Sequence, residues 1–249
     1  NKILKKFLLE MDKFTCCQAT NVVVHSTAMR KTLQKRYIRK KCEIKIINSL
    51  SVPFESNKIN LTGNKNLEKK IKIIYAGNIG RVQGLENIIF SFKYLRKYKD
   101  IELTFLGDGV EKQKLKRISK DLKTNINFKD YVSYEVSKKI IGQADLGLVS
   151  LIPNMHKYAY PSKTMVYLEQ GIPILALIEK ESDLAKKILQ NNIGFVSSIN
   201  DHKSLADLLI KLYENQSWKL ELKKACLETF QSEFLDEVIL KKWKKLVTN

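Results

Sequence analysis

Short unbroken apolar runs that stop at a glycine, each followed by a stretch with apolar residues three or four positions apart, recur along most of this chain. The first pattern predicts a strand buried on both faces, the second an amphipathic helix. Ile71 to Ala76 reads as such a strand and breaks at Gly77-Asn78-Ile79-Gly80. A helix over Leu85 to Tyr98 follows, with Leu85, Ile88, Ile89, Phe92 and Leu95 on one face. Strand Ile101 to Leu106 stops at Gly107-Asp108-Gly109, and a helix from Glu111 to Leu122 comes next. Strand Ile126 to Phe128, helix Val136 to Ile141 and strand Leu146 to Leu151 continue the series. After them the pattern predicts strand Ile174 to Leu177, helix Asp183 to Leu189, strand Gly194 to Val196, and helices from Lys203 and Trp218. Strands alternating with helices in this way predict an α/β fold with a parallel sheet covered on both faces.

In such a sheet the ligand site lies outside the carboxyl ends of the strands. Gly77 to Gly80, Gly107 to Gly109, Tyr131 to Tyr134 and Pro153 to Lys163 all fall on that edge. The most informative stretch runs from Tyr160 to Ala176. Pro161 fixes φ, Ser162 can accept a hydrogen bond from a free amide of the first turn, and Gly171 suits a left-handed stop. The helix therefore opens at Lys163, where unpaired amides, a partial positive charge and an ammonium group together make an anion site.

The front of the chain adds a helix from Lys2 to about Thr15 and a strand around Val22-Val23-Val24. Ser26 or Thr27 then caps a helix through Met29, Leu33 and Tyr37, and a strand runs from Ile44 to Leu50. Pro53 to Leu67 is polar and reads as a linker.

Composition changes the picture at three points. A length of 249 residues suits one large domain or one and a half ordinary ones, and the chain opens on Asn1 rather than Met, so its start is expected to be incomplete. No apolar run reaches the ~18 residues of a membrane span and no leader pattern precedes the first helix, so a cytoplasmic, soluble or peripheral protein is expected. The four cysteines show neither metal spacing nor a paired framework and read as reduced thiols. The 45 basic residues against 26 acidic ones give a net charge of +19. Such an excess either attracts an anionic membrane surface or acidic ligand, or is lysine spread over solvated faces. Aromatics are not interleaved with the basic runs, which disfavours nucleic acid as the partner.

Taken in order, five blocks carry a family resemblance: Tyr75 to Gly80 with Gln83-Gly84-Leu85; Leu106 to Gly109; Tyr131 to Ser133; Ala144 to Leu148; and Pro161-Ser162-Lys163 with Gly171-Ile172-Pro173. Together they resemble the carboxyl-terminal, donor-binding half of a GT-B glycosyltransferase of family 4, the retaining enzymes that use nucleotide sugars. The resemblance implies a Rossmann-like doubly wound sheet preceded by a truncated remnant of a first Rossmann-like domain. Its divisions would be residues 1–56 for the remnant of the acceptor domain and 57–68 for the linker. Residues 69–233 would form the donor domain, and 234–249 a helix (Phe234 to Leu246) crossing back to the first. Most of the acceptor domain would then lie outside this sequence.

Departures from the family pattern are specific. Asn78 stands where many members have Arg, Gln83 where they have Lys, and Tyr158 and Val166 where they place two glutamates eight residues apart. Glu169, on the helix face of Val166, is the candidate substitute for the glutamate that holds the ribose. The Gly-Asn-Ile-Gly loop and the Pro-Ser-Lys start are similar to a subgroup that builds bacterial surface polysaccharides, including N-acetylfucosamine and N-acetylglucosamine transferases. There neutral amides replace the Arg and Lys of the first loop, and the lysine at the other helix supplies the charge.

The resemblance implies a transfer from a UDP-linked N-acetylhexosamine or similar donor to a lipid-linked or polysaccharide acceptor at the inner face of the membrane, with neither metal nor cofactor. Gly77, Asn78, Gly80, Gln83, Ser162, Lys163 and Thr164 would hold the diphosphate. Gly109, Val132 and Glu169 would meet the nucleoside, and Asn154, His156 and Tyr158 would face the sugar. Each assignment has a plainer alternative: a tight turn at Gly77 and Gly80, a solvated lysine at Lys163, a core residue at Val132, a structural or exposed His156, and at Asp145 a helix cap. Two rival functions stay open, a GT-B epimerase and a non-catalytic subunit of the same fold. The epimerase would need carboxylates near the sugar, and 153–166 holds none.

Overall fold

In this computed structural model residues 2–36, 43–49 and 69–248 are described. The expected linker, Tyr37 and Leu50 lie outside them. Helix α1 (Lys2–Gln18), strand β1 (Asn21–Val24), helix α2 (Thr27–Arg36) and strand β2 (Glu43–Ile46) come first. β1 and β2 pair in parallel, Val22 opposite Ile44. Ser26 caps α2, its Oγ accepting from the Met29 amide at 3.1 Å. α1 buries none of its residues, and Ile3, Leu4, Phe7, Met11 and Phe14 stay exposed along one side.

The main body runs β3 (Ile71–Ala76), α3 (Glu86–Phe92), β4 (Ile101–Leu106), α4 (Lys112–Asp121), β5 (Ile126–Lys129), α5 (Tyr134–Ile141), β6 (Leu146–Ser150) and α6 (Lys163–Glu169). β7 (Ile174–Leu177), α7 (Asp183–Gln190), β8 (Gly194–Ser197), α8 (His202–Glu214), α9 (Trp218–Glu233) and α10 (Asp236–Val247) complete it. The strands form one parallel sheet in the order β5-β4-β3-β6-β7-β8. The chain winds outward from β3 in one direction and from β6 in the other, so the crevice between those two strands is the switch point of a doubly wound sheet.

Alternate residues of the central strands feed two separate cores. Ile71, Ile73 and Tyr75 join Leu103, Phe105, Leu146, Leu175 and the inner faces of α3 and α8. Ile74 joins Leu106, Val149, Ile174 and the inner faces of α6, α7 and α9. Strands buried on both faces have no polar positions to spare, which is why they read as unbroken apolar runs.

Several boundaries differ from the sequence reading: the strand expected over Ile44 to Leu50 ends at Ile46, the first helix runs on to Gln18, and α5 starts at Tyr134 rather than Val136. The helix expected over Leu85 to Tyr98 ends at Phe92, and Lys93–Leu95 tightens into a 3-10 turn. Gly77 to Gly80 leads first into a 3-10 turn, Arg81–Gln83, and the α-helix starts only at Glu86. The last helix begins at Asp236, because Phe234 closes the end of α9 through its amide to Phe230 O.

Candidate functional site at the switch point

Two glycine loops meet backbone to backbone at the carboxyl ends of β3 and β4. Gly77 N donates to Leu106 O at 2.9 Å, Ile79 N to Asp108 O at 2.8 Å, and Glu111 N to Ile79 O at 3.1 Å. Gly107, at φ 145°, leaves no room for a side chain, since a Cβ there would stand 2.1 Å from Gly77 O. At Gly109 the Cβ would stand 2.3 Å from Ile79 O. Glycine is required at both places by approach as well as by backbone conformation.

The first loop holds fewer free donors than its sequence suggests. Gly80 N donates to Gln83 Oε1 at 3.1 Å, so Gln83 braces the loop, and the Asn78 side chain lies beside it. With the Gly77, Ile79 and Gly80 amides engaged, the Asn78 amide is left without an acceptor among the described residues. The Asn78 carbonyl accepts from Tyr75 OH at 2.6 Å.

Lys163 faces this loop from α6. Its Nζ lies 3.8 Å from the Tyr75 ring centroid and 3.8 Å from where a Cβ on Gly77 would be. Apart from that ring it has no ion pair or hydrogen bond among the described residues. Burial brings the ammonium from its ordinary 10.5 down to about 7. A cation withdrawn from water with no counter-charge is costly, and a bound anion would relieve the cost.

Next to it, Thr164 is fully buried and its hydroxyl has no partner among the described residues. Ser150 Oγ, at the end of β6, and Tyr160 OH are likewise buried and unpartnered among the described residues. Ser162 departs from expectation: it is exposed, takes a helical conformation, and its side chain makes no cap bond. The first turn closes instead through Thr164 N to Pro161 O at 3.2 Å.

Residues assigned to the nucleoside divide. Gly109 belongs to the paired loops. Val132 is partly buried and packs on the core that contains α6, between exposed Tyr131 and Ser133. Glu169 Oε1 takes the Lys138 ammonium of α5 at 2.6 Å, whereas its Oε2 is buried with no hydrogen-bond partner among the described residues. Asp145 is neither ligand nor helix cap: it accepts from Lys72 N at 2.8 Å and pairs with Lys219 at 3.0 Å, at the opposite edge of the sheet.

The loop expected to face the sugar is organised by Glu179, just after β7. Glu179 accepts from Asn154 N at 2.9 and 3.1 Å, and its Oε2 lies 2.5 Å from His156 Nδ1. Asn154 is in the left-handed region at φ 67°. Tyr158 is exposed, with the Arg36 guanidinium of α2 5.4 Å from its ring centroid, and Asp183 accepts from Ala28 N at 3.0 Å. These contacts bring the first segment against the edge that carries the site. Glu179 and Lys112, whose buried ammonium donates to Gly107 O, were not singled out in the sequence. The charge right after a buried apolar run was a signal for Glu179; Lys112 looks like any surface-helix lysine.

Residues 57–229 match the family described as Glycosyl transferases group 1. A probable glycosyltransferase of Pseudomonas aeruginosa, WbjE, is 29% identical over 143 residues, which cover 56% of this chain and 35% of that protein. Among solved structures, a mutant of S. aureus TarM in complex with Fondaparinux, alpha-GlcNAc-glycerol and UDP superposes with a TM-score of 0.76. It is 15% identical, and the match covers 98% of this chain and 46% of TarM. HepE of Anabaena, in complex with UDP and glucose, gives 0.71 at 12% identity, covering 97% of this chain and 66% of HepE. The shared architecture is the GT-B α/β fold, and the chain spans about a third of WbjE and under half of TarM.

Proposed function

The chain belongs to the group 1 glycosyl transferases, and we propose that it forms the donor-binding half of a retaining, family 4 enzyme that takes a sugar from a nucleoside diphosphate. One observation carries this reading: the Lys163 ammonium is withdrawn from water, lacks an anionic partner among the described residues, and stands over the Gly77 loop at the crevice between β3 and β6. In the transfer the bond from the anomeric carbon to the diphosphate oxygen breaks, a bond to an acceptor oxygen forms, and the acceptor loses its proton. Negative charge grows on the leaving diphosphate, and fixed donors aimed at it lower the barrier. Lys163 would supply the charge, with the Asn78 amide and Thr164 hydroxyl as neutral donors. Asn154, His156 and Tyr158 would face the sugar.

The finer reading is a UDP-linked N-acetylhexosamine or deoxy relative, passed to a lipid-linked or polysaccharide acceptor of a surface glycan. It rests on the Pro161-Ser162-Lys163 start and the Gly77 to Gly80 loop, and it is supported by the UDP and alpha-GlcNAc-glycerol in complex with TarM, which this chain is similar to in fold. No helix among the described residues is long and apolar enough to cross a membrane. The excess of Lys and Arg would hold the protein at an anionic lipid surface.

Titration calorimetry with UDP, GDP and ADP on the wild-type chain and Lys163→Ala tests the reading. UDP is expected to bind best, and the substitution to weaken it at least about tenfold, the usual scale for a charge-assisted contact. Equal affinity in the two would remove Lys163 from the site. A non-catalytic subunit is favoured by the Lys138 ion pair on Glu169 Oε1, and absence of binding to every nucleotide in the panel would select it.

A further inference from the structure

Lys112 opens α4 yet is almost wholly buried, its side chain 4% exposed. A lysine in a first turn opposes the helix dipole, and a buried ammonium needs acceptors on every side. Three are present, drawn from two loops of the carboxyl edge: Gly107 O at 2.6 Å, Lys129 O at 3.2 Å and Asp130 Oδ1 at 2.6 Å. Gly107 opens the loop after β4, whereas Lys129 and Asp130 end β5 and lead into Tyr131-Val132-Ser133. Asp130 itself is 90% exposed. Its carboxyl is held below the usual carboxylate value, first by the Lys112 hydrogen bond and then by the charge.

Each of the two loops joined at this ammonium presents an exposed apolar side chain, Val110 at 74% and Tyr131 at 79% exposure. Neither has a packing role that explains it. The same loops continue into the diphosphate side of the site, because Gly107 and Gly109 rest on the carbonyls of Gly77 and Ile79.

We propose that Lys112 is a positioning residue that locks the loops after β4 and β5 together, so that Val110 and Tyr131 form the rim on which the base of the donor nucleotide is held. This rests on the functional reading above and extends it to the base. The ammonium touches no ligand; it sets the spacing between the two loops. Three charged hydrogen bonds are directional, and their loss leaves Gly107 O without its donor and Lys129 O with only the Gly107 amide at 3.2 Å. The loops then drift, and a base held between them is distinguished less sharply.

Discrimination between bases, rather than affinity alone, is therefore the readout. In Lys112→Met, well below its unfolding midpoint, UDP affinity is expected to fall about tenfold and the preference for UDP over ADP to shrink with it, since a displacement near 1 Å suffices for such losses. Asp130→Asn alters only the exposed partner, so it should fold as wild type, show a smaller loss of preference, and speed amide exchange at 129–133. The assignment is overturned if both variants keep the wild-type preference, or if Lys112→Met does not fold and Asp130→Asn keeps wild-type preference and exchange. No binding of any nucleoside diphosphate by the wild-type chain would overturn the functional reading and this assignment together. Binding with unchanged ratios would overturn this assignment alone.

Discussion

The hydroxyl of Tyr167 accepts a hydrogen bond from the Ala76 amide at 3.1 Å, so a side chain of α6 takes the place of a strand partner at the end of β3. The Tyr167 proton faces Ile74 O at 3.3 Å and Leu148 O at 3.4 Å, one on each of the two central strands. β3 pairs with β6 only at Ile73–Leu146 and Ile74–Gly147, against six pairs with β4. The phenol therefore fills the place where the two strands part. Gly147 makes that possible, since a Cβ there would stand 2.4 Å from the ring. Lys163 lies one helical turn earlier on the same face of α6, so this wedge also sets where the ammonium stands.

Tyr167→Phe keeps the ring and removes the bridge. A buried amide left without its acceptor costs about 1–3 kcal/mol, and urea unfolding should show that loss with an unchanged slope. UDP affinity should fall as well, because the end of β3 and the start of α6 are no longer tied. Stability equal to wild type would show that the Ala76 amide finds another acceptor.

Lys163 gives a pH signature. Its folded value of about 7 lies below the ordinary 10.5, so between those values the unfolded chain carries more protons than the folded one. Stability of the free chain should therefore rise with pH through that window. Binding runs the opposite way. A diphosphate favours the charged amine, so binding above pH 7 takes up a proton, and affinity should fall by up to about tenfold per pH unit between pH ~7.5 and ~9. Calorimetry in buffers of different ionisation heat measures the uptake directly. Lys163→Met should abolish both the slope and the uptake; a slope shared by the two proteins would assign it to the nucleotide.

How far the sequence reaches can be seen in β3 and α6. Ile71 to Ala76 is a strand at both of its expected ends, because burial on two faces leaves an unbroken run and Gly77 stops it. The helix opening at Lys163 and the left-handed Gly171, at φ 65°, were legible for similar local reasons. The donor set of the first loop was not. Whether the Gly80 amide is free depends on where the Gln83 side chain turns, and spacing along the chain is silent on that. Glu169 illustrates the same limit from the other side: it has the right helix face, but α5 brings Lys138 against it. Lys112 and Tyr167 act through partners far away in sequence, among them Lys129, Ala76 and Leu148, and only the assembled sheet brings those together.

Glu179 supplies the last prediction, for the loop assigned to the sugar. It gathers Asn154 N and His156 Nδ1 with one carboxylate, and Asn154 pays for this with a left-handed backbone at φ 67°. Glu179→Gln retains the shape and one acceptor oxygen but removes the charge that both donors share. The diphosphate contacts, assigned to Lys163, Thr164 and the Asn78 amide, do not involve this loop. Affinity for UDP should therefore stay within about twofold of wild type, while a UDP-sugar should lose about tenfold, the scale of one charged hydrogen bond. The ratio of the two dissociation constants is the measurement, since a general loosening of the protein would weaken both ligands alike. A ratio equal to wild type would take the Asn154 to Tyr158 loop out of sugar recognition and leave His156 a structural residue held by its carboxylate.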